Sequence, residues 1–181
     1  MISILLRPTR PVAELPGLSL LAGLAVCAAV RASGAEAAVR WPNDVVCGER
    51  KLAGILPELA DDGRVLLGCG INAGMTAEQL PPTDRLPPTS LLVETGHVPD
   101  RSMLRTRLLD ELRRRLAIFD RDGLAGLATE IRTHDALRGR TVRLRLASGE
   151  VRSGRAEGIA PDGALIVDGQ PHHAGEVDRV A

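Results

Sequence analysis

The chain has 181 residues, with 23 basic and 23 acidic side chains and a formal net charge of zero at pH 7. This length suits one ordinary core, or one domain with a small appendage. The charge balance argues against nonspecific nucleic-acid binding or a polybasic membrane surface as the main role. Cys27, Cys47 and Cys69 lack the close spacing of a zinc or redox motif, so we expect buried thiols in a reducing cytoplasm.

A strand and a helix open the chain. The apolar run from Ile2 to Leu6 ends at Arg7-Pro8 and predicts a buried strand. Alanine and leucine dominate from Leu15 to about Ala32 and favour a helix, with Ser33-Gly34 as its stop signal. The most apolar part of that helix, residues 18–30, is shorter than the roughly twenty residues that a bilayer crossing needs. We therefore expect a core helix and no membrane association.

Four further apolar runs predict a strand and then a three-stranded meander, with turns at Gly48-Glu49 and at residues 61–63. The runs are Val39 to Trp41, Val45 to Cys47, Leu52 to Leu59 and Val65 to Ile71. This order brings Lys51 and Asn72 near each other on adjacent strands. Residues 73–88 then carry four prolines and little periodicity, which indicates a ligand-ordering loop.

Two helices are predicted next. Asp100 is placed to cap the first, in which apolar residues recur every three or four positions and indicate a core-facing stripe. The stripe consists of Leu104, Leu108, Leu112, Leu116 and Phe119. We expect Arg113-Arg114-Arg115 on the solvated face of this helix, and a weaker helix from Leu124 to about His134. A solvent-exposed structural role is expected for all the histidines, His97, His134, His172 and His173.

The residue pattern changes after Arg138-Gly139, where apolar residues alternate with arginines and turn sequences separate short predicted strands. We expect a small all-β module that leans on the larger part of the chain, because about 45 residues bury little surface. The predicted fold class is α/β (α+β), with a mixed sheet and helices in residues 1–137 and the β module in residues 138–181.

Rare side chains mark one window as the candidate site. Lys51 is the only lysine among the basic residues, and the only tryptophan, Trp41, and the only asparagines, Asn43 and Asn72, stand nearby. An ammonium is a compact point charge, whereas a guanidinium is a planar fork, so the exception is informative. It suits phosphate or carboxylate oxygens whose charge shifts in a transition state. Asp44 beside it would hold Mg²⁺ or orient the lysine.

The plainer alternative is a surface hairpin in which Lys51 pairs with Glu49 or Glu58, and spacing alone leaves both hypotheses open. The chain contains no glycine-rich loop ending in Gly-Lys-Ser/Thr, no dinucleotide fingerprint and no Gly-x-Ser-x-Gly elbow. A nucleotide site would therefore be of another type.

Three motifs resemble those of bacterial biotin protein ligases in order and spacing. They are Arg40-Trp41-Pro42-Asn43-Asp44, Arg50-Lys51-Leu52-Ala53-Gly54-Ile55-Leu56 and Gly70-Ile71-Asn72. The resemblance continues through the helix after Asp100 and through the β module, which is similar to the SH3-like C-terminal domain of that family. It implies a two-step reaction in which biotin and ATP, with Mg²⁺, form biotinyl-5′-AMP and pyrophosphate. A lysine of the biotin carboxyl carrier protein of acetyl-CoA carboxylase then receives the biotinyl group.

The resemblance also implies roles for individual residues. Lys51 would be the catalytic residue, neutralising the oxygens between biotin and the α-phosphate, and Asp44 would support Lys51 or the metal. The loop after Asn72 would fold over adenine, and Gly175-Glu176 would reach back to the site. Biotin would lie against Lys51, Gly54, Gly70 and Ile71, and the nucleotide against Trp41, Asn43, Asp44 and Asn72.

Some family features lie outside the match. The biotin-contacting strand with its Ser/Thr and the Gly-Arg-Gly-Arg-x-Gly-Arg lid loop would precede Met1, so we expect a ligase chain lacking the N-terminal part of its catalytic domain. Its activity in this form is a question for experiment. The alternative from another class is a non-catalytic module that binds the nucleotide or the carrier. There is no winged helix, so we expect no nucleic-acid binding, and open strand edges favour a homodimer.

Overall fold

The computed structural model describes residues 1–83 and 86–180, and its first half is built around a five-stranded sheet of order β1-β5-β4-β3-β2. The strands are β1 (Ile2–Leu6), β2 (Ala38–Arg40), β3 (Asp44–Cys47), β4 (Arg50–Leu59) and β5 (Val65–Ile71). All of these ladders are antiparallel, and in the described residues parallel pairing is confined to two isolated bridges. The meander is confirmed, whereas the expected mixed sheet is reduced to these bridges.

Four α-helices are found in the described residues of this first part. They are α1 (Gly17–Arg31), α2 (Leu91–Thr95), α3 (Arg101–Asp122) and α4 (Ala128–His134). Helix α1 is buried along almost its whole length, because it lies between the sheet and α3. Asp100 caps α3 as predicted, since its carboxylate accepts hydrogen bonds from the amides of Ser102 and Met103. No helix in the described ranges has the length and apolar character that a membrane crossing requires.

Strand β1 is not buried as predicted. In the part of the chain that the structure describes, it is an edge strand with β5 as its neighbour, and its residues alternate between half-buried and exposed. Ile2, Ile4 and Leu6 pack on the core side, whereas Ser3 and Leu5 face the open side of the sheet. A short apolar run does not reveal whether both faces of a strand are covered, and here only one is.

The last forty residues form a second antiparallel sheet of order β10-β6-β7-β8-β9. Its strands are β6 (Thr141–Arg145), β7 (Val151–Ile159), β8 (Leu165–Val167), β9 (Gln170–His172) and β10 (Glu176–Val180). Strand β7 joins the two halves of this sheet, because its first part pairs with β6 and its second part, from Ala156 onward, pairs with β8 through a ladder with an irregularity between Ala156 and Gly158. The described pairings include no closure between β9 and β10. The fold class, an α/β part followed by a small all-β part, is confirmed.

The arginine cluster of α3 differs from the prediction. Arg113 and Arg114 are exposed, but the Arg115 side chain is only 2% exposed and forms ion pairs with Glu111 and Glu130. Helical geometry explains this, because Arg115 lies three and four residues from the buried Leu112 and Phe119 and so shares their face. Two partly buried carboxylates on α3 and α4 compensate the charge.

The histidines and cysteines complete the comparison. His97 and His173 are exposed, as expected, but His172 is buried and His134 is half-buried, so the expectation fails for those two. Burial lowers the pKa of His134. All the cysteines are free and buried, as predicted. Burial raises the pKa of Cys27 to about 12, which keeps that thiol protonated and unreactive.

Candidate active site

An irregularity in the β3–β4 ladder aims Lys51 at the open face of the sheet. Val45 pairs with Ala53 but Val46 pairs with Lys51, so Leu52 is an extra residue on β4. Simple alternation would place Lys51 on the core side with the buried Ala53 and Ile55. The bulge shifts the register by one residue, and Lys51 reaches the side of the sheet that carries Gly54.

Lys51 and Asp44 form an ion pair on this open face. The Lys51 Nζ lies 2.5 Å from the Asp44 Oδ1, with the two side chains 42% and 19% exposed. That oxygen accepts no other hydrogen bond. The alternative partners are not used, since Glu49 pairs with Arg140 and Glu58 lies at the far end of β4. The half-exposed ammonium is therefore held in place but open to a ligand.

Glycines leave the surface beside the ammonium flat. Asp44, Gly54 and Gly70 lie directly opposite one another on β3, β4 and β5. A Cβ built on Gly54 would lie 3.4 Å from the Lys51 Cε and Nζ, and one built on Gly70 would meet only the Gly54 carbonyl oxygen at 3.8 Å. We call this row, Asp44, Gly54 and Gly70, the glycine floor. It leaves room for a flat or extended ligand on the backbone.

The two asparagines lie at opposite ends of this region and are anchored to the backbone. The Asn43 Nδ2 donates to the Ile55 carbonyl at 3.0 Å, and the Asn72 Nδ2 donates to the Thr89 carbonyl at 2.9 Å. Asn72 follows the last residue of β5, Ile71, which is half-buried against the core. The structure thus places Asp44 and Gly54 beside Lys51, and it brings Asn72 near the lysine, since the Asn72 N–H donates to the carbonyl of the adjacent Leu52 at 3.0 Å.

A cleft of about 790 Å³ separates the first sheet from the β module. The first sheet lines it with Asn43, Asp44 and Lys51, and the β module lines it with Arg143, Gly175 and Glu176. Gly175-Glu176 therefore reaches the candidate site, as the resemblance implied. Thr83 and Leu86 of the loop also line the cleft, whereas Asp84 and Arg85 of the predicted ligand-ordering loop lie outside the described residues.

Two side chains of the first motif tie the sheet to the β module. The buried Arg40 donates to the Val177 carbonyl at 2.6 Å, and the Trp41 indole N–H donates to the Gly163 carbonyl at 3.0 Å. Burial lowers the pKa of Arg40, and the nearby Asp44 carboxylate opposes that change. Trp41 borders the cleft but is only 3% exposed, so its N–H is used within the protein.

Trp41→Phe separates the packing role of this residue from a nucleotide contact. Phenylalanine keeps a ring but removes the N–H, so we expect the free energy of unfolding to fall by about 1–2 kcal/mol. Urea titration measures that loss, and the KM for ATP is expected to change less than about twofold. A raised KM with unchanged stability would instead identify Trp41 as a nucleotide contact.

The sequence reasoning missed the segment that pairs with Lys51 on the side of β4 away from β3. The Lys51 N–H donates to the Pro87 carbonyl at 2.8 Å, and the Lys51 carbonyl accepts from the Thr89 N–H at 2.8 Å. Helix α2 begins directly after it, with Ser90 as its N-cap. The available signal was Thr89-Ser90 before a short apolar run, which is a helix-start pattern.

Comparison with known proteins finds matches to both parts of the chain. The model of the Biotin/lipoate A/B protein ligase family matches residues 1–75, and that of the Biotin protein ligase C terminal domain matches residues 138–179. The biotin--[acetyl-CoA-carboxylase] ligase of Paracoccus denitrificans is 32% identical, over 92% of this chain and 72% of that protein. The enzyme of the same name from Mycobacterium tuberculosis is 38% identical, over 87% of this chain and 59% of that protein.

Solved structures show the same fold. The crystal structure of the biotin protein ligase from Aquifex aeolicus superposes with a TM-score of 0.86 at 25% identity, covering 99% of this chain and 81% of that one. The chain spans about half the length of several curated relatives that it matches. The three motifs, the two sheets and these similarities together show that the chain belongs to the biotin protein ligase family.

Proposed function

We propose that this chain carries the catalytic centre of a biotin protein ligase, which activates biotin with ATP and transfers it to a lysine of a carrier protein. The observation that carries the proposal is the half-exposed Lys51–Asp44 pair beside Gly54 in the inter-sheet cleft. The biotin--[acetyl-CoA-carboxylase] ligase relatives favour a biotin carboxyl carrier protein as the acceptor. The A. aeolicus ligase, whose fold this chain shares, has been solved with biotin and ATP.

In the first step a carboxylate oxygen of biotin attacks the α-phosphorus of ATP. The bond from that phosphorus to the bridging oxygen breaks, and pyrophosphate leaves with the bonding electrons. Negative charge is thereby concentrated between the carboxylate and the α-phosphate. With one N–H directed at Asp44, the Lys51 ammonium has two further N–H donors to offer there, and it needs no rearrangement because Asp44 already positions it.

In the second step the neutral amine of the acceptor lysine attacks the acyl carbon of biotinyl-5′-AMP. An amide bond forms, AMP leaves, and the amine loses a proton to solvent or a nearby base. Lys51 would again lie beside the phosphate that departs with AMP. The same charge thus serves both steps, which requires a site open enough for a carrier lysine to enter.

The remaining residues are assigned by their positions around Lys51. We propose that biotin lies on Gly54 and Gly70 with Ile71 at the margin, where a side chain on either glycine would intrude. Asn43, Asp44 and Asn72 would contact the nucleotide, and the nearly buried Trp41 would border it as part of the cleft wall. The backbone hydrogen bonds of both asparagines hold their amides in fixed orientations.

Mg²⁺ fits the site as a companion of ATP and not as a resident metal. The described residues contain no group of three or more acidic, histidine or cysteine ligands, and Asp44 is the carboxylate beside Lys51. Mg²⁺ often binds to one carboxylate and to substrate phosphates while it keeps several waters. Asp44 is therefore the residue that would hold it, and the ion would supply charge neutralisation at the phosphates.

The wider assignments follow from the same proposal. Residues 1–137 would form the catalytic part and residues 138–181 the SH3-like domain, with Gly175-Glu176 completing the cleft. We further propose a cytoplasmic protein that does not bind nucleic acid and that forms homodimers through its open sheet edges. Sedimentation with and without biotin and ATP measures the last of these.

Biotin-dependent exchange of labelled pyrophosphate into ATP, with Mg²⁺, tests the proposal on the 181-residue chain. Exchange that requires biotin supports adenylation. Binding of ATP or of a biotin carboxyl carrier protein without exchange would overturn it in favour of the alternative, a non-catalytic module that binds the nucleotide or the carrier.

Gly54→Ala tests the glycine floor. The new methyl group would meet the Lys51 and Asp44 side chains at ordinary contact distances, so we expect stability to change by less than about 0.5 kcal/mol. The methyl would occupy the space beside the ammonium, and we expect the KM for biotin to rise about tenfold or more. Gly68→Ala, farther along the same face, is the matched control and should have a smaller effect. Equal biotin KM values in both variants would contradict the placement of biotin.

A further inference from the structure

We propose that Glu94 is a positioning residue for Lys51. It acts through the segment that bonds to the Lys51 backbone on the side of β4 away from β3. This inference rests on the proposed function and names a part of the site that neither the motifs nor the similarities assign. We call this segment, residues 86–90, the strap. Its conformation determines where the Lys51 backbone lies.

The strap continues the sheet for one residue only, beside Lys51. On one side Lys51 pairs with Val46 of β3, but on the other side β5 pairs with β4 only as far as Ala53, so the strap takes the place of β5 beside the Lys51 backbone. The Lys51 N–H and carbonyl both bond to it, each at 2.8 Å. Because Leu52 is a bulged residue, the strap secures the position at which β4 leaves regular pairing.

Thr89 connects the strap to the rest of the site. Its N–H donates to the Lys51 carbonyl, and its own carbonyl accepts from the Asn72 side chain at 2.9 Å. The whole residue is buried. Thr89 thus joins the predicted catalytic lysine to a predicted nucleotide ligand through two consecutive backbone groups, so a shift of Thr89 would move both.

The Glu94 carboxylate holds the Thr89 side chain in place by a hydrogen bond. One Glu94 carboxylate oxygen accepts the Thr89 hydroxyl hydrogen bond, and the other accepts from the Arg50 guanidinium at 2.9 Å. The Glu94 side chain is only 12% exposed, whereas Arg50 is 50% exposed. The carboxylate therefore bridges the strap to the residue that precedes Lys51. Charge-assisted hydrogen bonds of this kind are stronger than neutral ones and hold geometry well.

The expected consequence is a loss of turnover with little loss of binding. Glu94 lies outside the lining of the cleft, so its removal deletes no group that would contact ATP or biotin directly. A small displacement of a group that acts in the transition state lowers kcat more than it raises KM. We expect Glu94→Ala to lower kcat of pyrophosphate exchange about tenfold or more and to change either KM less than about threefold.

Three variants separate positioning from simple folding defects. Glu94→Gln keeps an acceptor for the Thr89 hydroxyl but not the charge toward Arg50, so it should retain more activity than Glu94→Ala. Thr89→Val removes the hydroxyl and should reproduce the Glu94→Ala effect. Glu36→Gln changes an exposed carboxylate away from the cleft and is the matched control. Equal kcat in Glu94→Ala and in the control would overturn the proposal.

Amide hydrogen exchange measured by NMR gives a readout that does not depend on activity. In Glu94→Ala the protection of the Lys51 and Thr89 amides should fall about tenfold or more, while that of Leu67 in the centre of the sheet stays unchanged. Unchanged protection of Lys51 and Thr89 would overturn the positioning role. Loss of protection in a chain that shows no pyrophosphate exchange would support the role of Glu94 and count against the proposed function alone.

Discussion

Lys51→Arg is expected to lower kcat of biotin adenylation by about 100-fold or more, although the charge is preserved. The Lys51 ammonium lies 2.5 Å from the Asp44 carboxylate, and its terminal atoms are 3.4 Å from the position of a Cβ on Gly54. A guanidinium is a larger planar fork and would extend over the glycine floor, where biotin is proposed to bind. The measurement is biotin-dependent pyrophosphate exchange with saturating ATP.

The control for this prediction is the reverse substitution, arginine to lysine, at a site away from the cleft. Arg64→Lys lies at the turn between β4 and β5, where Arg64 pairs with Asp62 on the surface. It should leave the rate of pyrophosphate exchange unchanged and should alter the free energy of unfolding by less than about 0.5 kcal/mol. Urea unfolding of Lys51→Arg should also be close to that of the parent chain, because the ion pair with Asp44 is partly exposed. Near-normal turnover of Lys51→Arg would remove the catalytic role that we assign to the ammonium.

The largest expected effect on stability comes from stripping the partners of the buried Arg115. The double variant Glu111→Ala/Glu130→Ala leaves an unpaired guanidinium in the core, and we expect it to lower the free energy of unfolding by about 3–5 kcal/mol. Among the contacts of the described residues, the Glu111 backbone carbonyl would be the acceptor that remains for Arg115. Urea titration followed by circular dichroism measures the loss.

Arg115→Leu is the informative comparison. It leaves two carboxylates that are 34% and 24% exposed and can be hydrated, so we expect a smaller loss, about 1–2 kcal/mol. The test is which variant loses more stability. We expect the double variant to lose more, because a leucine at position 115 fits the space that the arginine stem fills. If Arg115→Leu were the more damaging variant, packing of the stem and not compensation of charge would be the main contribution.

The same cluster predicts a loss of stability in acid. Burial acts to raise the pKa of Glu111, but hydrogen bonds and charge from Arg115 and Arg114 outweigh it and lower that pKa below its ordinary 4.5. A carboxyl with a lowered folded-state pKa stabilises the fold above its unfolded pKa, and the contribution is lost as the pH falls through the folded value. The parent chain should therefore lose stability below about pH 4.5, and Arg115→Leu should lose less over the same range.

Several features could be read from residue patterns because they depend on local physics. The meander follows from apolar runs separated by Gly-containing turns, and the capped helix α3 follows from Asp100 and its leucine spacing. The closeness of Lys51 to Asn72 follows from the connectivity of adjacent strands, and the structure confirms it. The roles of the motif residues remain predictions.

Other features depend on contacts between distant parts of the chain. The exposure of one face of β1 results from its place at the edge of the sheet, which the run Ile2–Leu6 does not reveal. The burial of Arg115 depends on a carboxylate supplied by α4, so the prediction of a solvated face holds for Arg113 and Arg114 but fails for Arg115. Trp41 is rare in this composition, yet its N–H bonds to Gly163 in the other sheet.

The sequence by itself determined which side chains are candidates for the site, because composition singles out Lys51 with the two asparagines and the adjacent Asp44, and the family resemblance adds Gly54. Only the tertiary structure decided which way Lys51 points. Strict alternation along β4 would direct the lysine into the core, and the bulge at Leu52 reverses that direction. The reversal is secured by the strap, which is more than thirty residues away in sequence, and local propensity carries no information about such pairing.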